Sequence, residues 1–192
     1  QYMMAYLLKG RKLMQLNKMQ EAAACFKAAQ TLPQNLGAGL WNISKLVPPK
    51  YYEAICLKSL GQTDKANENF KFITGIEIDY FSNMSLPELA YYQALCYREE
   101  GLHLKGDMLI NYKLQEWKEG LNTIDPGYFA TTPFFISFIE DGKQQRAAYY
   151  NYLLALAYNY IGNSKMQQEY LDQAAENDPY SLNIFFAKQF DK

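Results

Sequence analysis

Tyr51-Tyr52-Glu53-Ala54-Ile55-Cys56-Leu57 returns 40 residues later as Tyr91-Tyr92-Gln93-Ala94-Leu95-Cys96-Tyr97, and each copy is followed four residues on by a glycine, Gly61 or Gly101. A third relative begins at Tyr149-Tyr150 and runs through Leu154, Ala155 and Tyr158 to Gly162. Identity and spacing recur together, which is the mark of a repeat architecture and not of composition alone. In such a chain each unit buries its apolar face on its neighbours, and the units stack.

The residues around each copy read as two helices joined by a tight turn. Gly61, Gly101 and Gly162 stand where the first helix of each pair must stop, and glycine is the usual residue just past a helix end. Asn17, Thr63 or Asp64, and Ser164 follow as candidate N-caps, Ser164 with Gln167 as a capping box. Ser85-Leu86-Pro87-Glu88 is another helix start, and Val47-Pro48-Pro49 marks a break. Small residues at Gly10, Ala54, Ala94 and Ala155 admit a close partner helix. Large ones at Phe26, Phe70 and Leu171 fill the space between neighbouring pairs. Residues 149–161 are apolar nearly all round, so that helix is buried on several sides. Residues 164–176 carry Met166, Tyr170, Leu171, Ala174 and Ala175 on one stripe, with Gln167, Gln168, Glu169 and Asp172 outside. The expected helices lie near 3–16, 18–31, 50–60, 64–74, 86–100, 105–120, 143–161, 164–177 and 180–189.

These residues resemble the tetratricopeptide repeat, with its Leu-Gly-x-x-Tyr core, Ala-x-x-x-Phe second helix and closing proline. Leu154, Ala155, Tyr158, Leu171, Ala174 and Pro179 match it, with Gln167 in place of the second-helix alanine. Ala54, Leu57, Gly61, Ala66, Phe70 and Ile73 match it again, as do Gly10, Leu13, Ala22, Phe26 and Ala29, with Pro33 one residue early. The unit from Tyr91 keeps Ala94, Tyr97 and Gly101 but carries Gly106 and Ile110 in its second helix. The resemblance implies an all-α, right-handed superhelical solenoid in one domain over 1–192. Its repeats lie near 3–33, 50–74, 86–120 and 143–178, and a capping helix at 180–189 closes it. Extra segments interrupt the repeats at about 34–47, 75–84 and 122–142. The last holds the turn Asp125-Pro126-Gly127 and a cluster of Tyr128, Phe129, Phe134, Phe135, Phe138 and Ile139, expected to pack as an internal insertion.

Three stretches carry a second resemblance: Asp79-Tyr80-Phe81-Ser82-Asn83-Met84-Ser85-Leu86-Pro87, the run from Asp125 through Thr132-Pro133-Phe134-Phe135-Ile136-Ser137-Phe138 to Asp141, and Arg146 with the helix after it. Over about 50–190 the chain is similar to the tetratricopeptide tail of a family of large bacterial multidomain proteins, in which the tail follows a β-rich part resembling carbohydrate-processing domains. That resemblance implies a C-terminal module of a longer protein and no catalytic residue within it. The chain starts at Gln1 without an initiator methionine, and it is expected to be part of something longer.

Composition narrows the function. Across 192 residues, 49% hydrophobic and 20% charged residues exclude a disordered tail. Nineteen Lys and Arg against 20 Asp and Glu give a net charge of −1, with no bulk attraction to nucleic acid or anionic membrane. No apolar run reaches the ~20 residues that span a bilayer. Cys25, Cys56 and Cys96 read as buried free thiols, which favours a reducing, cytoplasmic setting. His103 has no ligand-spaced partner, Glu99-Glu100 and Glu140-Asp141 point apart on a helix, and no nucleophile, P-loop or metal motif is present. The expectation is no catalysis, no cofactor and no metal. Trp41 and Trp117 read as structural.

The 17 tyrosines are the chemical oddity. Carrying the tetratricopeptide groove pattern onto this chain places Leu7, Tyr51, Tyr91 and Tyr152 in one column and Met14, Lys58, Arg98 and Asn159 in another, with Arg11 and Tyr149 alongside. Tyrosines present a flat apolar face and a hydroxyl to an extended peptide or a sugar ring, and Lys58 and Arg98 suit a carboxylate. Packing and ligand contact both stay open for the tyrosines of the column. The Lys and Asn pattern of carboxylate-clamp tetratricopeptide domains is not reproduced. The leading expectation is a protein-interaction module that binds a peptide segment, or a neighbouring domain of its parent chain, at Arg11, Tyr51, Lys58, Tyr91, Arg98, Tyr149, Tyr152 and Asn159. Alternatives are an accessory domain that shapes or covers a glycan site, and self-association through exposed hairpin faces.

Overall fold

The computed structural model describes residues 2–31, 43–123 and 142–190. Among them are ten α-helices and a 3-10 turn at Ile43–Leu46, and no strand. The helices are α1 (Tyr2–Gln15), α2 (Met19–Ala29), α3 (Val47–Ser59), α4 (Thr63–Thr74), α5 (Tyr80–Ser85), α6 (Leu89–Glu99), α7 (His103–Asn122), α8 (Gly142–Ile161), α9 (Ser164–Asn177) and α10 (Leu182–Phe190). The chain divides into two compact units, Gln1–Leu109 and Ile110–Lys192.

One backbone device closes the first helix of four pairs. Asn17, Gly61, Gly101 and Gly162 all lie in the left-handed region, at φ 57°, 76°, 79° and 81°. The N–H of the next residue reaches back to the carbonyl five positions earlier: Lys18 to Leu13 (2.9 Å), Gln62 to Leu57 (2.9 Å), Leu102 to Tyr97 (2.7 Å) and Asn163 to Tyr158 (3.0 Å). The left-handed residue donates its own N–H to Met14, Lys58, Arg98 or Asn159. This is the Schellman closure, which satisfies carbonyls that a helix end would leave orphaned. A Cβ added at Gly61, Gly101 or Gly162 would meet nothing within 4 Å, so the turn selects glycine for its backbone freedom and not for space.

Counting from that residue puts the same chemistry at the same place in every pair. Seven positions before it stand Gly10, Ala54, Ala94 and Ala155, all buried. Nine positions after it stand Phe26, Phe70, Ile110 and Leu171, also buried. The small residues are small because the partner helix is close. A Cβ on Gly10 would come within 2.5 Å of the Phe26 ring.

In the first unit, successive pairs share core. Phe26, Ala22, Ala29 and Leu7 pack with Cys56 of α3, while Phe70, Ile73, Ala54 and Ala66 pack with Leu89 and Cys96 of α6. In the second unit, five consecutive residues of α8, Leu153 to Ala157, are buried, matching a helix covered on several sides. Gly120 of α7 lets Tyr150 of α8 approach, since a Cβ there would lie 2.3 Å from the ring. Ile184 and Ala187 seat α10 on the α8–α9 pair, and Lys188 Nζ binds Asp172 at 2.7 Å.

Several local expectations change. The N-cap of α9 is Asn163, whose side chain accepts from the Met166 N–H; Ser164 is already inside the helix. Gln167 turns inward, 8% exposed, at the position of Ala22 and Ala66, instead of lying on the outer face. Asn17 is the left-handed closing residue of α1 and not a cap of α2, whose N-cap Lys18 makes no side-chain bond. Gln62, not Thr63 or Asp64, is the N-cap of α4, again without a side-chain bond. Val47-Pro48-Pro49 opens α3 instead of breaking the chain, because proline needs no N–H donor in a first turn. Ser85 ends α5, and α6 starts at Leu89. Helix α5 itself was not expected in the 75–84 segment. Asp79 makes it, accepting from the Ser82 N–H while Ser82 Oγ accepts from the Asp79 N–H, a reciprocal capping box. His103 begins α7 and is exposed. The aromatic insertion, Trp41 and Pro33 lie outside the described residues.

Candidate functional site

In the first unit the tyrosines of α3 and α6 form one continuous aromatic cluster. Tyr51 and Tyr52 lie edge to face at 5.3 Å between centroids, Tyr51 and Tyr92 at 5.5 Å, Tyr52 and Tyr92 at 6.3 Å, and Tyr92 and Tyr91 at 5.5 Å. Each doubled tyrosine sits one residue apart on a helix, so its rings splay by about 100°. In α6 Tyr91 roots in the core while Tyr92 is half-buried, and in α3 both Tyr51 and Tyr52 are half-buried. Tyr51 reaches Phe70 at 6.5 Å, and Tyr52 stacks on Phe26 at 5.5 Å, which fixes the cluster to both pairs. Such edge-to-face pairs add about 0.5–1.5 kcal/mol each beyond the area they bury, and they hold the surface in one shape.

Charge surrounds the rings. The Arg11 guanidinium carbon stands 4.6 Å from the Tyr52 centroid, a cation–π contact from α1. Lys58 Nζ meets Glu99 Oε2 at 2.9 Å, and Arg98 Nη2 meets Asp107 Oδ1 at 3.7 Å. Both pairs are open to solvent, with Glu99 the most covered of the four side chains at 29% exposed, and such pairs are worth about 0–1 kcal/mol. Either cation can exchange its carboxylate for another at little cost.

The expected site residues fall as follows. Arg11, Tyr51 and Tyr91 come together through Tyr52 and Tyr92. Tyr91 is only 5% exposed and serves as a root of the cluster, while Tyr51, Tyr52, Tyr92 and Arg11 are half-buried. Lys58 and Arg98 hold α6 and α7 carboxylates. Leu7 is in the core and Met14 is half-buried beside it. Tyr149, Tyr152 and Asn159 belong to the second unit. There Tyr149 is 41% exposed and edge to face with Tyr150 at 5.0 Å, Tyr152 packs on Ala148, Ala174 and Ile184, and the Asn159 carbonyl accepts from Gly162. Tyr52 and Tyr92 were missed as site residues. Their signal was the doubling itself, because a groove column needs only one large residue per repeat.

Other chemistry is sparse among the described residues. No three His, Cys, Asp or Glu side chains gather as metal ligands, and no helix is long and apolar enough to cross a membrane. All three cysteines are free and buried. Burial first, then the charge of Glu53, pushes the Cys56 thiol up to about 11; burial, with Glu100 and Glu99, pushes Cys96 up as well. Thiols held protonated are poor nucleophiles. No protein-family model matches the chain, and no curated protein or solved structure does either.

Proposed function

We propose that this chain is a non-catalytic interaction module of tetratricopeptide-like repeats, and that its first unit binds an extended peptide across the tyrosine face of α3 and α6. The peptide belongs to a separate protein or to a neighbouring part of the parent chain. The observation that carries this reading is the unbroken contact of Tyr51, Tyr52 and Tyr92, bordered by the Arg11 guanidinium. Rings already locked against one another lose little entropy when a ligand covers them, and a tyrosine has few torsions to freeze. A peptide with apolar or proline side chains fits the rings, and an acidic residue beside them finds Arg11, or Lys58 or Arg98 by exchange.

A displayed library of random peptides selects the ligand. Binding of the winners is then compared in Arg11→Ala with Tyr52→Leu, a pair that keeps an apolar side chain on Phe26. The expected result is at least a tenfold loss with an unchanged helical spectrum. Equal binding by the variant overturns the reading. Selective binding of an oligosaccharide at the same face would favour the accessory role toward a glycan.

A further inference from the structure

The side of α3 opposite Tyr51 faces a groove. Glu53 lies two residues from Tyr51, about 200° around the helix, and it opens into a groove of about 350 Å³. Helices α2 and α4 form the walls, with Ala23, Ala24 and Lys27 on one and Lys65, Glu68 and Asn69 on the other, and Leu57 continues the α3 floor. That volume is at the lower end of what small ligand pockets hold, enough for one long side chain.

The carboxylate is held but not used up. Gln30 Nε2 donates to Glu53 Oε2 at 2.6 Å, and Asn69 Nδ2 donates to the same oxygen at 3.2 Å. Asn69 is itself fixed by Lys50, whose Nζ donates to Asn69 Oδ1 at 3.1 Å. Both amides converge on Oε2, and among the described residues nothing donates to Oε1. The corresponding residue of α6 shows what the joint between pairs requires. Gln93 is buried and donates to the Ile73 and Ile76 carbonyls at 3.0 and 2.6 Å, closing the end of α4. A neutral amide suffices there. At Glu53 the chain keeps a charge, positions it with two donors to one oxygen and lines a groove with the residue.

The walls limit what can enter. Lys65 Nζ is turned to Gln62 Oε1 at 3.0 Å, and Lys27 and Glu68 make no ion pair among the described residues. A bulky polycation meets Lys27 and Lys65 at the walls, against the single wall carboxylate of Glu68. A single slender cation reaches between them to Glu53, and carboxylates beside it answer Lys27 and Lys65. We infer that this groove binds the lysine or arginine side chain of a partner peptide in which acidic residues flank the basic one, with the cation donating to Glu53 Oε1. The site is independent of the tyrosine face.

The test titrates acetyl-Glu-Ala-Arg-Ala-Glu-amide, its charge-reversed counterpart acetyl-Lys-Ala-Glu-Ala-Lys-amide, and acetyl-arginine amide into the full chain, following backbone amides of Ala23, Ala24 and Leu57 by two-dimensional NMR. The first peptide is expected to give saturable shifts confined to the groove and the reversed peptide none, with acetyl-arginine amide weaker by several-fold. Glu53→Gln, whose side-chain oxygen still accepts from Gln30 and Asn69, is expected to bind about tenfold more weakly, as loss of one charge-assisted bond implies. Ala24→Phe, which crowds the groove with an uncharged side chain, is expected to abolish the shifts. Equal response to both peptides, unchanged binding in Glu53→Gln, acetyl-arginine amide matching the peptide, or no saturable shift at all overturns the inference.

Discussion

The pairs α1–α2 and α3–α4 are built to one plan and differ in what stands in front of them. Each closes through a left-handed residue, Asn17 or Gly61, and each sets a large ring, Phe26 or Phe70, against a small residue, Gly10 or Ala54. Yet Leu8, Lys9 and Lys12 of α1 are exposed, whereas their counterparts in α3, Tyr52, Glu53 and Cys56, are half-buried or buried, because α2 packs on that side. Position within a pair fixes the backbone device and the core ring. Position in the series of pairs decides which residues can be a tyrosine face, a held carboxylate or a buried thiol.

The comparison breaks most visibly at the rings. Phe70→Ala removes a fully buried side chain between two pairs and is expected to cost about 3–5 kcal/mol in urea denaturation. Phe26→Ala should cost about as much, because its ring is equally buried and is likewise covered by the next pair, through Cys56 and Tyr52. A larger loss at Phe26 would show that the two rings do not play equivalent parts.

The thiol that α3 buries where α1 exposes Lys12 gives the pairs different responses to base. Cys56 is raised from 9.0 to about 11 in the folded chain, so the unfolded chain ionises first. Its contribution is whole below about pH 9 and is lost as pH rises toward 11, by about 1.4 kcal/mol per pKa unit at most. Denaturation of the wild type and Cys56→Ala at a series of pH values is expected to show the gap between them narrowing over that window. A constant gap would mean the thiol titrates alike in both states.

A subtler difference separates the small residues. Gly10→Ala drives a Cβ into the Phe26 ring and is expected to cost about 1–2 kcal/mol, the overpacking penalty less the gain in helix propensity. Phe26→Leu should relieve part of it, and additive losses in the double variant would show that the ring is not what excludes the methyl. The smallest effects lie in the turn. Gly61→Ala should cost about 1 kcal/mol from its positive φ, while Asn17→Gly should be neutral or stabilising by a few tenths, as thermal unfolding would report.

Much of this plan was legible in the sequence because it rests on single residues. A left-handed residue at the turn, a small residue seven positions before it and a large apolar one nine positions after it keep their meaning wherever the unit stands. The N-caps were less legible, since Asn163 and Ser164 are both good caps and only the path of the chain selects the first. Helix α5 was hidden because six residues carry no helical period, only the Asp79–Ser82 pair. The tyrosine columns were legible as positions but not as contacts. That Tyr52 joins Tyr92, that Lys58 finds Glu99, and that Gln30 and Asn69 take one oxygen of Glu53 all depend on how one pair rotates against the next.

The most direct measurement follows the tyrosine ring resonances of the chain as a display-selected peptide is added. Tyr51, Tyr52 and Tyr92 are expected to shift together and saturate, while the exposed Tyr80 and Tyr180 stay in place. Saturable binding that leaves Tyr52 and Tyr92 unmoved would contradict binding at that face.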